Sequence, residues 1–363
     1  MRSCGQILSL AFALGMFLSL ALPRPAAAAQ MTNAANLRAE DATLFQQALK
    51  AQRDGDLPAA ESDYRAVLAR SPEFLPARFN LGLVLDAEGK MADALESFST
   101  VGEIKPDFPA VQMFIGIEEF RLGRAEASRG ALELATKQNP NDLRCWFWLA
   151  RVDFATEKRE AGKAALDRAL AISPEDPSAL FLLAQYQIST QDVTSAERVL
   201  SELAKRYPRV PDFHQSLGSV YYLEARLDSA EDEYRAELKL DAGNPQALSM
   251  IGVILVDRGQ AKQAIPYLAK GLQANPNIAY LQRKMGQALL EMGETEQAVG
   301  HLNQASALDS QEPTAHFLLW KSYKALGRGN DAARELDLFR KLQSQPKTAA
   351  EMPGIPAGGA LRP

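Results

Sequence analysis

The sequence predicts an all-α solenoid of about nine antiparallel helix pairs, on the strength of three residue columns that recur every 34 positions. The first column is a large residue followed by a small one: Leu81-Gly82, Ile115-Gly116, Leu149-Ala150, Leu183-Ala184, Leu217-Gly218, Ile251-Gly252 and Met285-Gly286. It extends backwards to Gln47-Ala48 and forwards to Leu319-Trp320. The second column is uniformly small and lies twelve residues later, at Ala60, Ala94, Ser128, Gly162, Ala196, Ala230, Ala264, Ala298 and Ala332. Four residues beyond stand Tyr64, Phe98, Leu132, Leu166, Leu200, Tyr234, Leu268, Leu302 and Leu336, all large.

Separations of three and four place such residues on one face of a helix, so each unit reads as two amphipathic helices. Between them falls a turn, often glycine (Gly55, Gly89, Gly123, Gly259, Gly293, Gly327), where a left-handed residue ends the first helix without steric cost. Proline at 72, 106, 140, 174, 208 and 276 cannot continue a helix interior and marks the boundary to the next unit. The small residues have a packing reason: Gly82 facing Ala94 lets two antiparallel helices approach closely. Glu237 falls in a column occupied elsewhere by Ala135, Ala169 and Ala305, so it needs a partner or solvent.

The period, the Leu-Gly pair, the Ala followed by an aromatic and the closing proline resemble the tetratricopeptide repeat family. The second unit carries the pattern in Leu81, Gly82, Leu85, Ala94, Phe98 and Pro106, and the fourth adds the aromatic opening as Trp146. The resemblance covers residues 41–342 and implies a right-handed superhelical solenoid whose concave groove is lined mainly by the first helix of each pair. The end units depart from it. Gln47 and Ala51 replace larger apolar residues in the first, and Trp320 and Phe339 replace small ones in the last.

Outside the array, residues 30–40 form a polar lead and 343–363 a Pro- and Gly-rich tail expected to be flexible. Residues 1–29 read as an export signal: Arg2, an apolar run from Gly5 to Leu22, the breaker Pro23 and the small residues Ala26 to Ala29. Cleavage after Ala29 gives a periplasmic or secreted protein. The alternative is an uncleaved membrane anchor, since about 18 apolar residues can just span a bilayer. Cleavage removes Arg2, Arg24 and Cys4 and no acid, leaving a chain more acidic than the formal charge of −5 and a single thiol, Cys145. Mild acidity argues against nucleic-acid binding. One thiol forms no internal disulfide, and Cys145 reads as a small buried apolar residue.

No catalytic constellation emerges, and neither a metal nor a cofactor is expected. His214, His301 and His316 lack metal-ligand spacing and read as solvated or packing residues. No phosphate-cradling loop or nucleophile elbow is present. The chain is expected to bind a protein or peptide.

The resemblance places one stripe of each first helix on the concave groove. Three residues before each small residue lie Phe45, Phe79, Met113, Phe147, Phe181, Gln215, Ser249, Arg283 and Phe317; one residue after it lie Leu49, Leu83, Ile117, Arg151, Gln185, Ser219, Val253, Gln287 and Lys321. Two readings stand side by side. In one, these residues form an apolar cleft for a partner peptide, ending in a basic stretch at Arg283, Lys321 and Lys324. In the other, the Phe column packs between helices. Some relatives hold a terminal carboxylate with a lysine–asparagine clamp, but here its positions carry Phe79, Leu83, Met113 and Ile117. A soluble envelope adaptor is therefore expected, the alternative being a membrane-anchored subunit of a secretion, pilus or outer-membrane assembly complex.

Overall fold

The structure, a computed structural model, describes residues 38–344. The expected export signal, most of the polar lead and nearly all of the tail lie outside them. The chain divides at Leu182/Leu183 into two compact bodies. In the first body the helices are α1 (Ala39–Asp54), α2 (Leu57–Arg70), α3 (Leu75–Ala87), α4 (Met91–Ile104), α5 (Val111–Arg121), α6 (Ala125–Gln138), α7 (Leu143–Ala155) and α8 (Arg159–Ile172). The division falls within α9 (Pro177–Ser189). The second body continues with α10 (Val193–Arg206), α11 (Phe213–Leu223), α12 (Leu227–Leu240), α13 (Pro245–Asp257), α14 (Ala261–Ala274), α15 (Ala279–Glu291), α16 (Thr295–Leu308), α17 (Pro313–Ala325) and α18 (Gly329–Ser344). No strand occurs among the described residues.

Odd-numbered helices are the first helices of the pairs. Within each body a first helix packs on its own second helix, and the second helix packs on the next first helix. First helices of successive pairs also touch, as α5 does α7 and α13 does α15. Helix starts are set by side chains as well as by packing: the Asp56 and Asp192 carboxylates accept from the backbone N–H groups of Ala59 and Ser195 at 3.2 Å.

The core of each pair is an interlock of small against large. A Cβ added at Gly82 would lie 2.6 Å from the Phe98 ring, at Gly116 2.5 Å from Leu132, and at Gly286 2.6 Å from Leu302. The Cβ position at Gly82 thus meets the large column first. The second small column contributes through its backbone, since the Ser128 and Ala298 carbonyls lie 3.1 and 3.3 Å from the Cβ positions at Gly116 and Gly286. Ser128 adds a hydrogen bond from its hydroxyl to the Gly116 carbonyl at 2.6 Å.

The six turn glycines all have positive φ. In the three pairs without a turn glycine, Glu157, Gln191 and Ala225 hold the same left-handed conformation, with φ of 59°, 65° and 58°. The packing on either side therefore fixes the turn whatever its residue, at a cost of about 1–2 kcal/mol for a side chain there. At the last pair the pattern loosens. Trp320 is half-buried with its ring 5.4 Å from Phe317, Phe339 lies 5.2 Å from Phe317, and Leu336 is only half-buried.

Two substitutions separate turn from interlock. Ala225→Gly is expected to raise stability by about 1 kcal/mol in denaturant titration by relieving the left-handed strain. Gly82→Ala is expected to lower it by about 1–3 kcal/mol despite alanine's better helix propensity, because its methyl meets the Phe98 ring. A stabilising Gly82→Ala would contradict the interlock.

Candidate functional site

The aromatic column is core. Phe45, Phe79, Met113, Phe147 and Phe181 are all buried, from 0% exposed at Phe45 to 7% at Phe147. Phe45 and Phe79 plug the space between the second helix of their own pair and the start of the next pair. Phe79 touches Phe98 of α4 at 5.3 Å and Phe108 of the following loop at 5.2 Å; Phe45 does the same with Tyr64 and Phe74. The candidacy of all five as groove residues is corrected, because side chains so buried are out of a partner's reach. Phe317 is 37% exposed, with no further described pair to cover it.

The column after the small residue is mixed. Leu49, Ile117, Ser219 and Val253 are buried, so Leu49 and Ile117 are corrected too, whereas Leu83, Arg151, Gln185 and Gln287 are half-buried and Lys321 is exposed. Arg283 is also buried, its Nε 3.4 Å from the Glu312 carboxylate and its guanidinium 5.0 Å from the Tyr280 ring centre, which removes it as an open basic contact. Lys324 is exposed, its ammonium 5.7 Å from the Trp320 ring centre.

Spacings of 35 and 27 residues, not apparent as a motif, bring polar groups together on the first-helix face. In the second body Asp257 accepts from the Tyr222 hydroxyl at 3.0 Å and from the Lys284 ammonium, while Tyr222 and Tyr280 share a hydroxyl contact at 3.0 Å. The same register in the first body holds Asp86, Arg121 and Trp148. Arg121 pairs with Asp86 and, at 3.0 Å, with Glu118. Burial, reinforced by the Asp86 charge, pushes the Glu118 carboxyl up to about 7. Beside them the Arg151 guanidinium lies 4.5 Å from the Trp148 ring centre and 5.9 Å from that of Phe147.

The three histidines are internal ties. His214 and His316 of first helices bond Glu233 and Glu335 of the paired second helices at 2.7 and 2.8 Å; His301 of α16 reaches back to Gln282 of α15 at 2.7 Å. Each spans 19 residues. Members of the same first-helix column also bond the carbonyl six residues earlier, as Arg78 does Pro72, Trp146 does Pro140 and Gln282 does Pro276. Glu237 has its partners as well: its carboxylate accepts from the Asp212 backbone N–H at 3.2 Å and the Asn244 amide at 3.1 Å. Cys145 is buried, and desolvation pushes its thiol up to about 12, so it packs as an apolar residue. Among the described residues no three His, Cys, Asp or Glu side chains converge as metal ligands, and no helix is long and apolar enough to cross a membrane.

The ties set opposite pH responses. The Glu233 hydrogen bond raises the His214 pKa above 6.5, so that its stabilisation is complete below the unfolded value and is lost as pH rises through the folded one. Burial depresses the His301 pKa below 6.5, so its stabilisation is present above the unfolded value and is lost as pH falls through the folded one. An NMR titration should place His214 above and His301 below 6.5, with Glu233→Gln bringing His214 down; His214 titrating below His301 would contradict both ties.

Comparison with known proteins gives the same architecture. The tetratricopeptide repeat family matches residues 45–107, 115–177, 159–219, 245–278 and 283–350. Among characterised proteins, the chain is 22% identical over 309 residues to the CTR9 homolog of Arabidopsis thaliana, covering 82% of this chain and 28% of that one. It is 22% identical over 129 residues to anaphase-promoting complex subunit 3 of Schizosaccharomyces pombe (36% and 19%), and 31% over 85 residues to the Vi polysaccharide export protein VexE of Salmonella typhi (22% and 13%). The chain thus spans less than a third of the length of each. Among solved structures, a tetratricopeptide repeat protein from Parabacteroides merdae superposes with a TM-score of 0.56 at 15% identity, over 69% of this chain and 98% of that one. The Cut9–Hcn1 hetero-tetramer of the anaphase-promoting complex gives 0.57 at 16%, over 86% and 62%. With the family matched over more than half of its length, the chain belongs to the tetratricopeptide repeat family.

Proposed function

We propose that the chain is a non-catalytic adaptor of the cell envelope that holds segments of partner proteins against the first-helix faces of its helix pairs. The observation that carries this reading is the division of labour along each first helix. Its aromatic column is consumed by packing, whereas the adjoining face keeps half-buried side chains that no second helix covers fully: Leu83, Trp148 and Arg151 in the first body, Gln287 and exposed Lys321 in the second. Such a surface, partly apolar with a few fixed polar groups, suits an extended or helical peptide. Relatives bearing the same repeats include members of multisubunit assemblies by name, which supports an assembly role.

The envelope location rests on residues 1–29, whose apolar run, helix breaker and alanine run suit a cleaved export signal. The likeness of an 85-residue segment to a polysaccharide export protein supports the same compartment. The length of the apolar run favours one second reading, a membrane-anchored structural subunit of a secretion, pilus or outer-membrane complex. Mass spectrometry of the mature chain decides: a start at Gln30 supports the soluble adaptor, and retention of residues 1–29 selects the anchored subunit.

Photo-crosslinking in cells tests the face. A photoreactive residue at Leu83 or Lys321 is expected to trap partner bands, and one at Gly130 or Leu134, exposed on α6, is not. Crosslinks confined to α6 would overturn the proposal.

A further inference from the structure

Arg151 is anomalous as a structural residue. Its column is filled by Leu49, Leu83 and Ile117 in the preceding pairs, which pack without electrostatic cost. A half-buried guanidinium loses solvation and needs a compensating anion. Among the described residues no carboxylate lies within ion-pair distance of Arg151, and Asp86 and Glu118 are both engaged by Arg121. Arg121 in turn repels it: burial first, and then this second guanidinium, push the Arg151 pKa down to about 10, which leaves it charged at neutral pH. The equivalent register of the second body is closed, since Asp257 receives both Tyr222 and Lys284 and the residue in the Arg151 column is the neutral Gln287. At this one register the second body pairs its charges internally, whereas the first body leaves the Arg151 cation without a carboxylate.

The shape of the cation narrows what completes it. Trp148 holds the guanidinium by its face at 4.5 Å, leaving the N–H edges to bond. A planar fork so held matches a carboxylate in two parallel hydrogen bonds. With Arg121 already claimed, one fork is available, which suits a single carboxylate reaching down from a segment that runs across the face.

We propose that Arg151, held by Trp148, is the specificity point of the first body's face, and that it receives the side-chain carboxylate of an aspartate or glutamate in an internal segment of the partner, beside an apolar residue resting on Trp148. This rests on the reading of the first-helix face as the binding surface and adds the chemistry of what is bound.

The test is selection on the full chain of random twelve-residue peptides displayed between two folded flanking domains, so that no free terminus is offered. Asp or Glu next to an apolar residue should be enriched on the wild type and not on Arg151→Gln. The best acidic peptide should lose about tenfold or more in affinity on Arg151→Gln and recover in part on Arg151→Lys, with wild-type affinity falling as salt is added. Arg151→Gln should melt no lower than wild type, because the loss of the Trp148 contact is offset by the removal of a desolvated charge that Arg121 repels and no carboxylate balances; a lower melting point with unchanged peptide affinity would make Arg151 structural and overturn the proposal. Equal acid enrichment on both proteins would overturn it, as would bound peptides without acid preference. Enrichment only when the library carries free C-termini would replace it with terminal-carboxylate recognition. Absence of any bound peptide would remove the first-helix face as a peptide site, and this inference with it.

Discussion

Everything in this molecule depends on the contact between a residue with little or no side chain on one helix and a large side chain on its partner. The Phe98 ring occupies the space a Cβ at Gly82 would take, and Leu132 and Leu302 do the same at Gly116 and Gly286. The contact sets the distance between paired helices, and the left-handed turn sets their length. With both fixed, the aromatic column of the first helix has one place to go, the wedge between its own second helix and the next loop. Phe79 fills that wedge against Phe98, Phe108 and Phe114. Repetition of the small-against-large contact gives each body a core in which every pair depends on its immediate neighbours, although Gln215, Ser249 and Arg283 replace the aromatic wedge in the second body.

That economy determines what is left for recognition. Packing claims the small, large and aromatic columns, and the His, Gln and Arg column is claimed by ties to the loop and the second helix. What remains is part of one column of the first helices, at Leu83, Arg151, Gln287 and Lys321, while Leu49, Ile117, Ser219 and Val253 of the same column are buried. Contacts between groups 27 and 35 residues apart turn that part into distinct chemical neighbourhoods. Exposed bridges such as Lys90 to Glu61 at 2.6 Å and Arg226 to Glu197 at 2.7 Å join turns to the preceding second helix, and contribute register more than stability.

The architecture was legible because its signals are periodic: the interlock needs small residues, and only a few residue types supply them. Three features were not legible, each for a physical reason. The turns at Glu157, Gln191 and Ala225 carry no glycine signal because neighbouring helices impose the conformation. Phe79 and Phe147 read equally as groove or core, since both environments favour aromatics and only the position of the following loop decides. The partners of Glu237 are a backbone N–H and an amide 25 and 7 residues away, a pairing that residue type alone does not encode. The Asp86, Arg121 and Trp148 neighbourhood could have been found by reading the columns across units at 35 and 27 residues as well as at 34.

The account stands on the aromatic column being closed while the adjoining face is open. Hydroxyl-radical footprinting of the free, folded chain by mass spectrometry reads both in one sample. Phe79 and Phe147 should resist oxidation while half-buried Trp148 is labelled; rapid labelling of Phe79 and Phe147 before the chain unfolds would contradict the assignment of core and face.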